Sequence, residues 1–350
     1  MRTGRCRDTD VASEAVRVRA IDYHTAGEPF RIVAEGVTPI NGANVAAKRI
    51  GAQRSSRVDA VRTMLCREPR GHGDMYGCFI VEPDDEGADF GALFWHNDGY
   101  STACGHGTIA LGAWAVQSGR VASDLDGVTA VRIDVPSGRV VAHVTRVAGE
   151  VTAVAFENVA SYPVRRAMPV DTSRGRIDVD VAFAGALYAS VPARALGLAV
   201  VPDQAPALRE IGREIKWALN DTEVAHHALD ERLGGIYGTI IYDDLGDTSD
   251  GLHQRNVTVF ADGRIDRSPC GSGTAARLAL LANEGRLDPG AALVHDSIIA
   301  TRFIGRYRSA PDQTAPGAVI AEVEGMAYPT GVSDFTLDAA DPLVTGFLLS

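Results

Sequence analysis

Two segments of this chain carry the same reactive pattern: CGHGTIALGA at 104–113 and CGSGTAARLA at 270–279. The Cys, the two Gly, the Thr and two later Ala coincide, and the copies lie about half the chain apart. Each copy puts a thiol just ahead of an apolar run that reads as a helix. A Cys at a helix N-terminus sits where unpaired N–H groups converge and the macrodipole is positive. Thiolate is favoured there, so the spacing predicts thiol pKa values below the free value of about 8.5. The flanking glycines let the backbone approach a ligand closely. Two opposed thiols can remove a proton from one face of a carbon and add one to the other without a cofactor. First-turn N–H groups of the two helices suit a carboxylate lying between them. A fold repeat alone also duplicates a loop and a helix. Such a repeat needs the glycines and the apolar helix but not the cysteine, and both copies keep it.

Two neighbours extend the constellation. Asp266 lies four residues before Cys270, in IDRSPCG. It can face a substrate ammonium or make a turn contact with Arg267. His106, two residues after Cys104, can contact a ligand or serve the first turn of its helix. Cys104, His106 and Cys270 do not have a usual zinc-ligand spacing. Cys6, Cys66 and Cys78 lack this glycine-rich context and read as structural.

The gross numbers bound the possibilities. A chain of 350 residues is right for two ordinary domains. It is 45% hydrophobic and 23% charged, a globular composition. A net charge of −11 without a Lys/Arg-rich run argues against nucleic acid and membrane as partners. Five cysteines make a poor disulfide framework, and no signal peptide is legible in MRTGRCRDTDVASEAV. The apolar stretch VAFAGALYASVPARALGLAVV is broken by Ser190, Pro192 and Arg194 and does not read as a membrane span. A reducing cytoplasm is the expected compartment.

The elements that must position the thiols follow from periodicity. Residues 1–15 read as a flexible tail. Strands begin at Val16 and continue through RIVAEGV; residues 44–66 read as one helix; YGCFIVEP and FGALFWHN read as buried strands. Three short strands fill 128–158. The chain looks irregular near SYPVRRAMPVDTSRG, where a domain boundary is expected. Further strands, helices near 205–220 and 221–229, a strand through SIIATRFIGRYR and another at AVIAEVEGMAY follow. The apolar tail DPLVTGFLLS reads as packed back on the first half. An apolar helix with little polar face must be surrounded, so each half is expected to wrap a curved sheet around one.

At these residues the chain resembles the proline racemase family, which includes proline racemases, 4-hydroxyproline 2-epimerases and trans-3-hydroxy-L-proline dehydratases. The matching segments are DYHTAGEPFR, GHGDMYG, HNDGYSTACGHGTIALG, RNVTVFADGRIDRSPCGSGTAARLAL and the tail GMAYPTG…DPLVTGF. The resemblance implies an α/β fold like diaminopimelate epimerase. Its two pseudo-symmetric domains would each hold a barrel-like sheet around a central helix, with the active site in the cleft. The first would span 16–162 plus about 330–350, the second 163–329. The resemblance implies neither pyridoxal phosphate nor metal, a small-molecule substrate and a homodimer. It places Cys104 and Cys270 at the catalytic positions. Gly105, His106, Gly271 and Ser272 would form the carboxylate cradle, with Asp266 near the substrate nitrogen. Tyr76 and Phe260 would wall the ring, Tyr76 standing where Phe is usual.

The resemblance divides over the reaction. Dehydratases of the family carry Thr at the second catalytic position, so Cys270 favours a two-base racemase or epimerase of proline or hydroxyproline. HNDGYSTACGHGTIALG and DMYG look more like the dehydratase branch, which would yield pyrroline-2-carboxylate. A proline-binding module without catalysis is the third reading; the intact pair of cysteines argues against it.

Overall fold

A computed structural model describes residues 17–311, 315–338 and 340–349. The tail at 1–15 and Cys6 lie outside the described residues. Five α-helices are present among them: α1 (Val45–Arg54), α2 (Ser56–Cys66), α3 (Gly105–Gln117), α4 (Ala205–Asn220) and α5 (Gly271–Asn283).

The strands pair in one continuous order whose two ends mirror each other. From Ala327–Thr336 the pairing passes through Arg17–Thr25, Glu28–Glu35 and Tyr76–Val81 to Phe90–His96. It continues through Gly127–Val135 and Gly138–Val147 to Glu150–Glu157. There it crosses to Val319–Gly325 and runs on through Arg302–Ser309 and Leu293–Ser297 to Gly251–Phe260. Ile236–Thr248, Leu187–Pro192, Gly175–Phe183 and Tyr162–Thr172 complete it. In each repeat two pairs are parallel, and they fall at matching places. Parallel neighbours need a crossover, usually helical. The first crossover holds α1 and α2 in one repeat and α4 in the other; the second holds α3 and α5. The topology therefore puts both cysteine-bearing helices in equivalent positions.

Both of these helices are swallowed by their sheets. Gly105–Val116 of α3 and Gly271–Leu281 of α5 are buried at every residue. Gly112 lets α3 lie close on the sheet, since a Cβ there would stand 2.6 Å from Ala142 Cβ. The mixed α/β architecture expected from the sequence is the one observed.

Several local expectations are corrected. Residues 44–66 form two helices, because Ser55 is extended and its hydroxyl accepts from the Val58 N–H to start α2. Residues 221–229 hold one 3₁₀ turn, Glu223–Ala225. The Thr222 hydroxyl donates to the Leu219 carbonyl and closes α4 there. The segment at 162–172, expected to be irregular, is an eleven-residue strand. The stretch from 297 to 302 turns, with the Ser297 hydroxyl accepting from the Ile299 and Thr301 N–H groups. The C-terminal segment does pack on the first half: Phe347 bridges to Glu68, and Arg70 pairs with Asp341 at 2.8 Å. No helix among the described residues is long and apolar enough to cross a membrane.

Candidate active site

The N-termini of α3 and α5 meet end to end. A Cβ on Gly105 would stand 2.5 Å from Gly271 Cα and 2.6 Å from the Ser272 nitrogen. One on Gly271 would stand 2.7 Å from Gly105 Cα. The second glycine of each motif makes room for the thiol: a Cβ on Gly107 would lie 2.8 Å from Cys104 Sγ, and one on Gly273 3.0 Å from Cys270 Sγ. Each cysteine is the N-cap of its helix. Cys104 Sγ accepts from the Gly107 N–H at 3.2 Å, and Cys270 Sγ from the Gly273 N–H at 3.3 Å. The first-turn N–H groups of Gly105, His106, Gly271 and Ser272 have no intrahelical acceptor and converge between the helices. The copies differ in one respect. Cys104 is extended at φ −156°, while Cys270 is held at φ +62°, a region costly for a side-chain-bearing residue.

Cys104, Gly105, His106, Asp266, Cys270, Tyr76 and Phe260 line one chamber; Gly271 and Ser272 are buried in the first turn of α5, against Gly105. Seven of the nine sequence-predicted site residues thus line the chamber, and Gly271 and Ser272 follow Cys270 directly in α5. The chamber is shut. Its free volume is only about 10 Å³, room for about one water molecule. A ring-sized ligand therefore enters only if the walls part. The contacts that hold them join the two repeats: Tyr76 and Tyr237 hydroxyls at 2.9 Å, Arg267 and Asp74 at 2.6 Å, and the Thr102 hydroxyl donating to the Gly185 carbonyl at 2.7 Å.

Burial governs the electrostatics and corrects the expected direction for the thiols. Desolvation pushes Cys104 well above the usual thiol range, and the Asp266 charge adds to this against the Gly107 N–H. Cys270 is likewise pushed up by burial and Asp266, opposed by the Gly273 N–H and the Thr258 and Tyr188 hydroxyls. The helix ends pull toward thiolate as the motif predicts, but in the closed chamber the loss of water outweighs them. Burial lowers His106 to about 3, so its ring is neutral. That ring lies 3.5 Å from Cys104 Sγ and 3.8 Å from an Asp266 oxygen.

Asp266 does not make the alternative turn contact with Arg267. Its Oδ1 accepts from the Ser268 N–H at 2.8 Å and the Ser268 hydroxyl at 2.7 Å, while Arg267 pairs with Asp74. Burial raises Asp266 to about 6, against those hydrogen bonds. Glu28 is pushed well above the usual carboxylate range, by burial first and then by the Asp266 charge. A carboxyl raised on folding supports stability below its unfolded value near pH 4 and loses that support as pH rises through about 6. Asp266→Asn is therefore expected to raise the melting temperature at pH 8 by several degrees, with the gap to wild type closing toward pH 4. Thermal unfolding across that range checks it. An equal gap at both ends would show that the buried charge is not its source.

Four chamber residues were missed by sequence reasoning: Ala103, Tyr188, Tyr237 and Thr258. Tyr237 had a signal, since IYG at 236–238 echoes MYG at 75–77. Its strand slips register between Leu187 and Tyr188, leaving Tyr237 without a partner there. Such irregularities re-aim side chains. Tyr188 and Thr258 lie in continuously buried stretches of their strands and carry no mark in the sequence. Burial raises Tyr76, Tyr188 and Tyr237 well above 10, so all three hydroxyls stay protonated.

The proline racemase model matches residues 20–348. A trans-3-hydroxy-L-proline dehydratase from Bacillus cereus is 41% identical over 94% of this chain and 97% of its own. A 3-hydroxyproline 2-epimerase from Burkholderia multivorans is 40% identical over the same shares. A crystal structure of a hydroxyproline epimerase from Agrobacterium vitis, with bound trans-4-hydroxy-L-proline, superposes with a TM-score of 0.89 at 28% identity, covering 95% of each chain. With the repeated strand order and the paired cysteine-capped helices, these matches make the chain an enzyme of the proline racemase family.

Proposed function

We propose that this enzyme inverts the α-carbon of a hydroxyproline, with Cys104 and Cys270 as the two proton-transfer groups. The observation that carries this is the pair of thiols capping two helices that meet in one chamber. The halves 16–162 with about 330–350, and 163–329, act as domains that part to admit substrate and close over it. Exposure to water in the open form lets one thiol ionise; closure then desolvates it against the substrate. The thiolate takes the α-proton from one face and becomes a thiol. The opposing thiol gives its proton to the other face and becomes the thiolate. The carboxylate lies on the N–H groups of Gly105, His106, Gly271 and Ser272, which hold the charge that develops at the α-carbon. Asp266 faces the ring nitrogen. Phe260 and Tyr76 wall the ring, and the Tyr76 and Tyr237 hydroxyls are placed for a ring hydroxyl.

The dehydratase reading is favoured by the name of the Bacillus cereus relative. There one thiolate takes the α-proton, the 3-hydroxyl leaves as water with a proton from His106 or the other thiol, and the ring tautomerises to pyrroline-2-carboxylate. Proton NMR in D₂O with L-proline, trans-4-hydroxy-L-proline and trans-3-hydroxy-L-proline separates the two. The expected result is loss of an α-proton signal with growth of the epimer. Consumption of only the 3-hydroxy compound to pyrroline-2-carboxylate would overturn it in favour of the lyase.

A further inference from the structure

Beside the shut chamber, between the two repeats, lies a second cavity of about 440 Å³. It shares Tyr237 with the chamber, and its wall includes Ser101, whose hydroxyl bonds Tyr76 at 2.5 Å. The row Ser101–Tyr76–Tyr237 is thus the partition between the two spaces. Two cations line the outer cavity, Arg49 from α1 and Lys216 from α4.

Both cations are hydrogen-bonded to backbone carbonyls rather than to carboxylates. Arg49 donates to the Tyr100 carbonyl at 3.0 and 2.8 Å and to the Arg232 carbonyl at 3.2 Å. Lys216 is 8% exposed, and its ammonium donates to the Ala261 carbonyl and sits 4.8 Å from the Trp217 ring centre. Among the described residues no carboxylate lies within 4.0 Å of either charge. Two carboxylates also line the cavity, and both are engaged. Asp262 holds Arg213 at 2.5 Å and the Trp217 indole at 3.2 Å; Asp98 accepts from the Asp262 N–H at 3.0 Å. Burial lowers both Arg49 and Lys216, and at Lys216 the Asp98 and Asp262 charges oppose it.

Partly desolvated cations whose hydrogen bonds go only to carbonyls favour an anion that enters beside them. The volume falls in the usual range for small-molecule pockets, roughly 300–1,000 Å³. The Trp217 and Tyr237 rings offer apolar faces. We propose that this cavity is a second, outer binding site for a compact cyclic monocarboxylate, held by Arg49 and Lys216 and separated from the chamber by the tyrosine partition. The ligand class rests on the proposed function; the site itself rests on the cavity and its cations. A ligand waiting there reaches the thiols when Tyr76 and Tyr237 part.

The probe is pyrrole-2-carboxylate, with pyrrole-2-carboxamide as the uncharged control, titrated calorimetrically into wild type, Arg49→Met and Lys216→Met. The expected result is a binding event that weakens at least tenfold in both variants and is missing with the carboxamide. Absence of any event that responds to either substitution overturns the proposal. Lys216→Met keeps the aliphatic stem and carries the test alone if loss of the Arg49 tie between Tyr100 and Arg232 prevents folding. Exchange of the α-proton of hydroxyproline, measured on the same wild-type preparation, reports on the chamber separately. Exchange without a Lys216-sensitive event sinks the outer site alone; a Lys216-sensitive event without exchange sinks the proposed function alone.

Discussion

Cys270→Thr is expected to lower epimerisation by about 10²–10⁴-fold, the usual contribution of a positioned acid or base. Both the forward and the reverse direction should fall, because each direction needs both thiols. A threonine hydroxyl fits the space, but it is far too weak an acid and base to exchange roles with Cys104. Its Oγ can still accept from the Gly273 N–H that now meets Cys270 Sγ at 3.3 Å. The φ of +62° at this position disfavours a β-branched residue, so Cys270→Ser, which lacks the branch, accompanies it as a control. Chiral chromatography of the product gives the rate, and the melting temperature reports whether the loop survived. Retention of most of the turnover of trans-3-hydroxy-L-proline in both variants, as pyrroline-2-carboxylate, would assign the enzyme to dehydration.

Gly105→Ala is expected to cost at least about 10²-fold in kcat/KM, the scale set by misplacing catalytic groups by about 1 Å. The added methyl would meet backbone atoms of Gly271 and Ser272 at 2.5–2.6 Å. Backbone cannot swing aside as a side chain can, so the two helix ends must separate. Separation spreads the N–H groups that should hold the carboxylate and moves Cys104 relative to Cys270. The variant keeps both thiols, so a loss of rate isolates the effect of geometry from that of chemistry. Gly119→Ala is a matched control, since its Cβ would meet open space, although its φ of +71° adds a small strain. Wild-type kinetics in Gly105→Ala would mean that close approach of the helix ends is not needed in the working enzyme.

The part of the site that was legible in the sequence is the part that breaks a rule of folding economy. Cys104 and Cys270 stood out because a helix N-terminus needs no thiol, and their glycines because nothing else fits between two abutting backbones. Asp266 was visible by its place in the loop. The tyrosines were harder to see. Tyr76 and Tyr237 recur before glycines, but their convergence depends on a strand register that slips beside Tyr237. Glu28 carried no mark of its own within DYHTAGEPFR; its burial beside Asp266 is a property of three-dimensional packing. The thiol pKa direction was misread for the same reason. A helix N-terminus is a local feature, whereas the depth of burial that outweighs it is set by the closure of both repeats.

The helix break at Ser55 and the turn at 298–301 show the limit of periodicity. In both places the apolar spacing continues through the interruption, and a single serine hydroxyl bonding nearby N–H groups decides the outcome. The enclosure of α3 and α5 by sheet, by contrast, followed from few facts. The repeated motif fixed two equivalent apolar helices, and an apolar helix has to be surrounded.

The central claim is that two thiols on opposite faces of one carbon share the proton transfer. The most direct measurement follows deuterium at the α-carbon during the first few per cent of hydroxyproline turnover in D₂O. Two opposed thiols predict that the epimer carries deuterium from the first turnover while the unreacted substrate keeps its proton. Product that retains the original α-proton, or substrate that gains deuterium as fast as product forms, would contradict the account and leave a single proton-transfer group.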